Sequence, residues 1–312
     1  LKDSPAAYLA VDSQMAQVLA PLKEEGDGLR ARTAEVTLLG VVVHGHDPAK
    51  VSRAEQMIKA IKADAKPDPA ILRAKALLAI AKGTPKTVES TLGSAAASPD
   101  SLLVVGLGRL AADNPAGAIE PLRQYVAAHP KAVVAEYSWA RALGQAGKPE
   151  ARAAYAKVLG HNPQHFGAAL ELARLEDTAD KRLAAAQALI DRKQAEASPQ
   201  EMARAHLLAG EAALEMGRGQ AAEGALRKAL SLDSRLTAAS LALGESMLYE
   251  GRYDEALTVL QAAGPALETS TAGKFALGGA YLATKKPEQG HKLLTAASKV
   301  APTDPRAAYW NG

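Results

Sequence analysis

Three successive windows in the last third of the chain carry the same classes of residue at the same places, 34 residues apart. The four repeated places are Gly210, Gly244 and Gly278, then Ala222, Ala256 and Gly290, then Leu226, Leu260 and Leu294, then Ala229, Ala263 and Ala297. Each window contains two apolar stretches with helical spacing that are separated by a short turn, so the repeating unit is a pair of helices. A period of this length with this content is typical of a stacked helical solenoid.

The small residues explain how the two helices of a unit can pack. Gly244 stands at the eighth place of its unit and Ala256 at the twentieth. A side chain no larger than a methyl group lets two helix axes approach closely, so we expect these places where the pair comes nearest. Ala263 is expected to do the same against the next unit, and Leu260 is expected to fill the remaining core.

This pattern resembles the tetratricopeptide repeat. The small places and late proline of that family are matched by Gly278, Tyr281, Gly290, Leu294, Ala297 and Pro302, whereas the tryptophan usual near the start of a unit is missing. The resemblance implies an all-α fold, a right-handed α-solenoid (superhelix) of stacked antiparallel helix pairs. At this chain length the period allows about eight repeats.

The small residues that recur with the 34-residue period divide the chain into four segments. Residues 1–28 are expected to form an N-terminal helix or cap, 29–197 degenerate repeats, 198–304 three regular repeats, and 305–312 the start of a further, interrupted repeat. Gly40 is expected at the small place of the first degenerate unit.

Helix starts are indicated by a capping Ser or Asp followed by Pro at the first helical position. This Ser-Pro or Asp-Pro pair occurs at Ser4–Pro5, Asp47–Pro48, Asp68–Pro69, Ser98–Pro99, Ser198–Pro199 and Asp304–Pro305.

Composition excludes several classes of function. With 37 basic and 34 acidic side chains the net charge is +3, which gives little attraction for a phosphate backbone. Nucleic acid is therefore not expected as a partner. The chain has no cysteine, so it has no disulfide, thiolate zinc site or cysteine nucleophile. No apolar run reaches the length of about 18 residues that would indicate a membrane span, so membrane insertion is not expected. The sequence is compatible with a location in either the cytoplasm or the periplasm.

Two local patterns suggest chemistry. Residues 102–105 read LLVV and precede Gly106-x-Gly108-x-x-Ala111, which superficially fits a dinucleotide-binding fingerprint. However, Pro115 would break the required helix, and the repeat already explains Gly106. The pairs His44/His46 and His161/His165 lack the further ligands of a tetrahedral metal site. We interpret them as solvated turn residues, and we expect no enzyme activity, cofactor or metal.

In the family that the chain resembles, the first helices of the units line a concave groove. The resemblance implies that the partner-binding groove consists of two apolar stripes edged by carboxylates. Its residues would be Leu207, Glu211, Leu214, Glu215, Leu241, Glu245, Leu248, Tyr249, Phe275 and Leu282. Large exposed apolar patches are uncommon unless functional, so either a partner or the protein itself covers this groove, and we favour a partner.

The sequence thus predicts a non-catalytic scaffold or adaptor that binds a peptide or helical segment of another protein. The carboxylates favour a partner segment that is amphipathic and net basic. A composition rich in Ala, Arg and Gly suggests a bacterial protein, and we expect the scaffold to be part of a multiprotein assembly. The alternative is a targeting or regulatory module of a larger enzyme, such as a kinase or a glycosyltransferase.

Overall fold

The chain is all-α wherever the structure describes it. The structure, a computed structural model, describes residues 27–44, 47–61, 69–192 and 197–306, and within these ranges it contains helices and turns but no strand. The predicted fold class is therefore confirmed. Residues 1–26 of the segment predicted to be an N-terminal helix or cap lie outside the described ranges. The chain divides into two compact units, Leu1–Leu172 (unit 1) and Ala173–Gly312 (unit 2).

Unit 1 contains a series of helices. In chain order they are α1 (Asp27–His44), α2 (Pro48–Lys59), α3 (Pro69–Ala81), α4 (Val88–Leu92), α5 (Leu102–Ala111), α6 (Pro115–Ala128), α7 (Val133–Gln145), α8 (Ala151–His161) and α9 (Phe166–Arg174), whose last two residues fall in unit 2. Helices pack in consecutive pairs, α1 with α2, α3 with α4, α5 with α6 and α7 with α8. α4 is short and flanked by 3-10 turns, because Gly83 and Gly93 take positive φ values and interrupt the helix on either side.

Unit 2 contains the regular repeats. Its helices are α10 (Ala179–Asp191), α11 (Pro199–Glu215), α12 (Gly219–Leu232), α13 (Thr237–Tyr249), α14 (Tyr253–Ala262), α15 (Pro265–Thr269), α16 (Thr271–Ala283) and α17 (Pro287–Val300). The predicted helix pairs are α11 with α12, α13 with α14 and α16 with α17, and successive pairs stack through α12 on α13 and α14 on α16. This stacking is solenoid-like, as predicted. The hand of the superhelix and the number of repeats stay predictions.

The small places lie where the helices of a pair approach. A Cβ placed on Gly278 of α16 would lie 2.7 Å from Cγ of Leu294 and 3.2 Å from the carbonyl oxygen of Gly290, both on α17. Gly106 of α5 is faced in the same way by a leucine of α6. The prediction for Gly40 is wrong, because no atom lies within 4 Å of a Cβ there. Gly40 therefore does not mark a close approach of helices.

The helix starts follow the predicted caps at three of the described positions. The Asp304 carboxylate accepts the N–H of Arg306, just after Pro305. The Asp47 carboxylate accepts the N–H groups of Ala49 and Lys50 at the start of α2. Ser198 and Glu201 form a reciprocal capping box at the start of α11. Ser98 gives no side-chain cap, since Pro99 begins a 3-10 turn and α5 starts only at Leu102.

Candidate functional site

A pocket of about 480 Å³ opens on unit 2 where α13 and α16 lie side by side. We refer to it as the α13–α16 pocket. Its lining residues are Glu245, Leu248, Tyr249, Tyr253, Phe275, Ala276, Ala283, Pro305 and Arg306.

Four residues predicted for the groove meet in this pocket. Glu245, Leu248 and Tyr249 come from α13, and Phe275 comes from the next first helix, α16. Phe275 has no exposed surface, whereas Tyr249 is 92% exposed. The pocket is therefore lined by one buried aromatic ring, that of Phe275, and by one freely accessible ring, that of Tyr249.

Arg306 forms part of the rim and fixes the polar end of the pocket. Its guanidinium carbon lies 5.2 Å from the ring centre of Phe275, and its Nη1 donates to Oε1 of Glu245 at 3.1 Å. Its Nε and Nη2 donate to the Asp304 carboxylate at 3.0 and 2.8 Å. We did not predict Arg306 from the sequence. The 34-residue period nevertheless places it at the same place in its unit as Ala238 and Ala272.

The two carboxylates at this end have opposite pKa shifts. Burial raises the pKa of Glu245, and the nearby positive charge of Arg306 opposes that rise only in part. The hydrogen bonds from Arg306 lower the pKa of Asp304 to about 2. With both acids ionised and Arg306 protonated, the three groups carry a charge of −1 (one cation, two anions).

Four of the predicted apolar residues are covered by the protein itself. Leu207 is only 4% exposed and lies in the core of unit 2. Leu214 is half-buried against that core, and Leu241 is half-buried against the neighbouring core that contains Leu257 and Leu260. Leu282 points toward α17, since a Cβ placed on Gly290 would lie 2.8 Å from its Cδ2 atom. Leu248 is likewise half-buried, so among the predicted apolar and aromatic residues Tyr249 is the one with a largely exposed side chain.

The remaining predicted carboxylates lie apart from the lining of the pocket and face arginines of the same chain. Glu211 lies 3.7 Å from Nη1 of Arg174, and Glu215 accepts a hydrogen bond from Arg182. Burial raises the pKa of Glu211. A basic partner would have to compete with these arginines, which the sequence did not reveal.

The other local patterns have structural explanations. Residues 102–111 form helix α5, so the strand that a dinucleotide fingerprint requires is not formed there. His165 is only 8% exposed, and its Nδ1 accepts the N–H of Ala168 at 3.1 Å, so its interpretation as a solvated residue is wrong. His161 Nδ1 lies 2.7 Å from Oε2 of the buried Glu136. Among the described residues there is no group of three or more potential metal ligands.

None of the helices in the described ranges combines the length and the apolar character needed to cross a membrane.

Comparison with known proteins agrees with this fold. Residues 247–309, which include most of the pocket lining, match the family model described as tetratricopeptide repeat. No curated protein sequence matches the chain.

Several solved structures are similar to the chain. A structure of pilF from Pseudomonas aeruginosa has a TM-score of 0.54 at 18% identity and covers 68% of this chain and 96% of that one. PilW, titled a widely conserved type IV pilus biogenesis factor, has a TM-score of 0.54 at 13% identity and covers 69% and 99%. A chain of the APC/C hetero-tetramer Cut9–Hcn1 has a TM-score of 0.64 at 17% identity and covers 90% and 54%.

At these identities the likeness concerns the fold. Residues 247–309 contain the repeat that the tetratricopeptide family model describes, and the stacked helix pairs of the described residues agree with the fold of these solved structures.

Proposed function

We propose that this chain is a non-catalytic interaction module that binds a segment of another protein at the α13–α16 pocket. Tetratricopeptide-repeat proteins are typically protein-interaction modules. The observation that carries the proposal is Tyr249, whose side chain is 92% exposed beside the apolar lining of the pocket. Exposed aromatic surface next to a concave site is where binding energy concentrates in protein interfaces.

The size of the pocket fits one or two side chains of a partner. About 480 Å³ lies within the range of about 300 to 1,000 Å³ that is usual for ligand pockets. Tyr249 and Tyr253 form an accessible wall, while Phe275 and Ala276 form the apolar base. An aliphatic or aromatic residue of the partner would bury both surfaces.

Charge favours a basic residue next to that apolar anchor. Glu245 and Asp304 together outweigh Arg306 by one negative charge, and the position of Arg306 above Phe275 suggests that this end of the pocket can accept a guanidinium. The partner segment would therefore be amphipathic and net basic. Raised salt would weaken binding only moderately, because rim charges contribute more to specificity and association rate than to affinity.

The second candidate is a targeting or regulatory module of a larger kinase or glycosyltransferase. In that case the pocket would serve the same purpose and the chemistry would belong to another domain. The sequence of the full-length gene distinguishes the two.

A selection from a random peptide library displayed on phage tests the proposal. We expect the selected peptides to combine an aromatic or aliphatic residue with a neighbouring Lys or Arg. As synthetic peptides they should bind the Tyr249→Ala variant about tenfold more weakly than the wild type, a difference of about 1.4 kcal/mol. Tyr249 is a suitable site because its high exposure means that its removal leaves the core intact.

Val300→Ser is the matched control, since Val300 is 68% exposed and does not line the pocket. It should leave peptide affinity unchanged. Selected peptides that bind wild type and Tyr249→Ala equally, or that carry acidic instead of basic residues, would contradict the proposal.

A further inference from the structure

We propose that unit 2 has a second binding site, separate from the α13–α16 pocket, for a small apolar molecule that carries one anionic group. The site is a pocket of about 510 Å³ formed by the end of α12, the start of α13, the end of α14 and the short helix α15. Its apolar wall includes Leu230, Val259 and Pro265, and its polar side includes Arg235, Thr237 and Ser240. Neither the family nor the predicted groove accounts for it.

An interruption of the repeat creates this pocket. α14 ends after 10 residues, whereas the corresponding helices α12 and α17 each have 14. Gly264 then takes a φ of +69°, and the chain turns into α15, a helix that the other two regular repeats do not have. The wall formed by Pro265 and Ala266 is thus specific to this repeat.

α15 is held firmly in place. Leu267 has no exposed surface and joins the core that contains Leu257 and Leu260. At Gly273 of α16 even a Cβ would collide with the carbonyl oxygen of Leu267, so the backbones of the two helices are in direct contact. A pocket with such a wall is preformed, which lowers the entropy that binding would cost.

The polar side of the pocket offers hydrogen-bond donors that have no acceptor. Ser240 is only 3% exposed, lines the pocket, and its hydroxyl makes no hydrogen bond with any residue that the structure describes. The Arg235 side chain likewise has no ion pair within the described ranges. α13 begins at Thr237 without a side-chain cap, which leaves the first N–H groups of the helix without a cap. Arg235 is exposed, so water can solvate it, whereas Ser240 is almost entirely buried. An acceptor that enters the pocket would find the Ser240 hydroxyl, the Arg235 guanidinium and these N–H groups available.

The chemistry of the donors identifies the ligand class. A guanidinium, a hydroxyl and the positive end of a helix dipole together favour an anion. Asp233, the nearest acid in sequence, accepts the backbone N–H of Arg235 at 3.0 Å and does not line the pocket. Because the opposite wall is apolar, the anion must carry an apolar body. A carboxylate or phosphate on a short alkyl chain satisfies both requirements.

The test uses the full chain labelled with ¹⁵N and four probes that share an octyl group: octanoate, octyl phosphate, octanol and octylammonium. We expect one or both acids to shift the amide resonances of residues 234–240 and 263–266. Octanol should bind about tenfold more weakly, and octylammonium should cause no shift there. The acid that binds more tightly identifies the head group.

Three variants locate the interaction. Ser240→Ala and Arg235→Gln should each weaken binding of the preferred acid severalfold. Arg218→Gln removes an exposed arginine outside the pocket and should have no effect. The proposal is overturned if octanol binds as well as the acids, if the shifts map to another surface, or if no probe binds. Because Tyr249→Ala leaves this site intact, the result is independent of the peptide experiment.

Discussion

Gly244 of α13 faces Leu260 of α14 so closely that a Cβ on the glycine would lie 2.5 Å from Cγ of the leucine. Leu260 has no exposed surface and lies among other buried residues, so it has little room to move. Gly224, in the middle of α12, is exposed and has no atom within 4 Å of such a Cβ. Packing excludes a side chain at one helical glycine and permits it at the other.

The same substitution should therefore have opposite effects at these two glycines. In Gly244→Ala, overpacking of about 1 to 3 kcal/mol should exceed the higher helix propensity of alanine and lower the free energy of unfolding. In Gly224→Ala, the higher helix propensity of alanine should by itself raise the free energy of unfolding by about 0.5 to 1 kcal/mol. Urea denaturation measures both. A stabilisation of equal size in both variants would show that the Gly244–Leu260 contact does not limit packing.

Lys285 occupies a backbone conformation that suits glycine. Gly217, Gly251 and Lys285 stand at the same place of three successive repeats, and their φ values are +68°, +76° and +61°. A left-handed conformation costs a residue with a Cβ about 1 to 2 kcal/mol. Lys285→Gly should therefore raise the free energy of unfolding by about 1 kcal/mol.

Lys274→Gly provides the control for this prediction, because Lys274 lies within helix α16. There glycine should lower the free energy of unfolding by about 1 kcal/mol. Thermal or urea unfolding of both variants gives the comparison, and a loss of stability in Lys285→Gly would contradict the argument from strain.

Glu223 should make stability depend on pH in the acid range. Hydrogen bonds from Arg252 and then Arg227 lower its pKa from 4.5 to about 2. A lowered pKa means that the carboxylate stabilises the folded protein above pH 4.5 and that this contribution is lost as the pH falls toward 2. Glu223→Gln should therefore be less stable than the wild type at neutral pH, and the two proteins should converge in acid.

Urea denaturation at several pH values measures this difference. Glu288→Gln is the control, because Glu288 is exposed and has no ion pair within the described residues. A constant difference between Glu223→Gln and the wild type over the whole range would refute the assigned shift.

Arg306 should restrain the pKa of Glu245. Burial raises that pKa, and Arg306 is the main group that lowers it. Arg306→Gln should thus raise the pKa of Glu245 further, which a ¹³C NMR titration of its carboxyl group measures. Arg218→Gln, outside the pocket, should leave it unchanged. An unchanged or lower pKa in Arg306→Gln would show that the observed 3.1 Å hydrogen bond is not a significant interaction in solution.

The repeated pattern was sufficient to predict the all-α class and the pairing of helices in unit 2. Gly278 and Leu294 show why: one place must be small so that the helices approach, and the other must be large to fill the space beside it. Such requirements are local to a helix pair and recur with the period. The caps at Asp47 and Ser198 could also be predicted, because each bonds to N–H groups within three residues.

Only the tertiary structure decided which predicted groove residues are accessible. Helical periodicity gives the direction of a side chain on its own helix, but not what covers it. Phe275 is buried beneath Arg306, whereas Tyr249, predicted by the same rule, is 92% exposed. The hydrogen bond between Glu245 and Arg306 joins residues 61 positions apart. Contacts of this kind depend on how successive repeats stack, and a single helix pattern does not contain that information.

The pocket beside α15 also required the three-dimensional structure. Gly264 and Pro265 indicate a break in the helix, yet the break creates a cavity only because Leu267 anchors the short helix in the core and Gly273 allows the backbones to touch. The sequence determined the repeating unit through local packing requirements, and the stacking of unlike units determined where that regular pattern leaves surfaces open for binding.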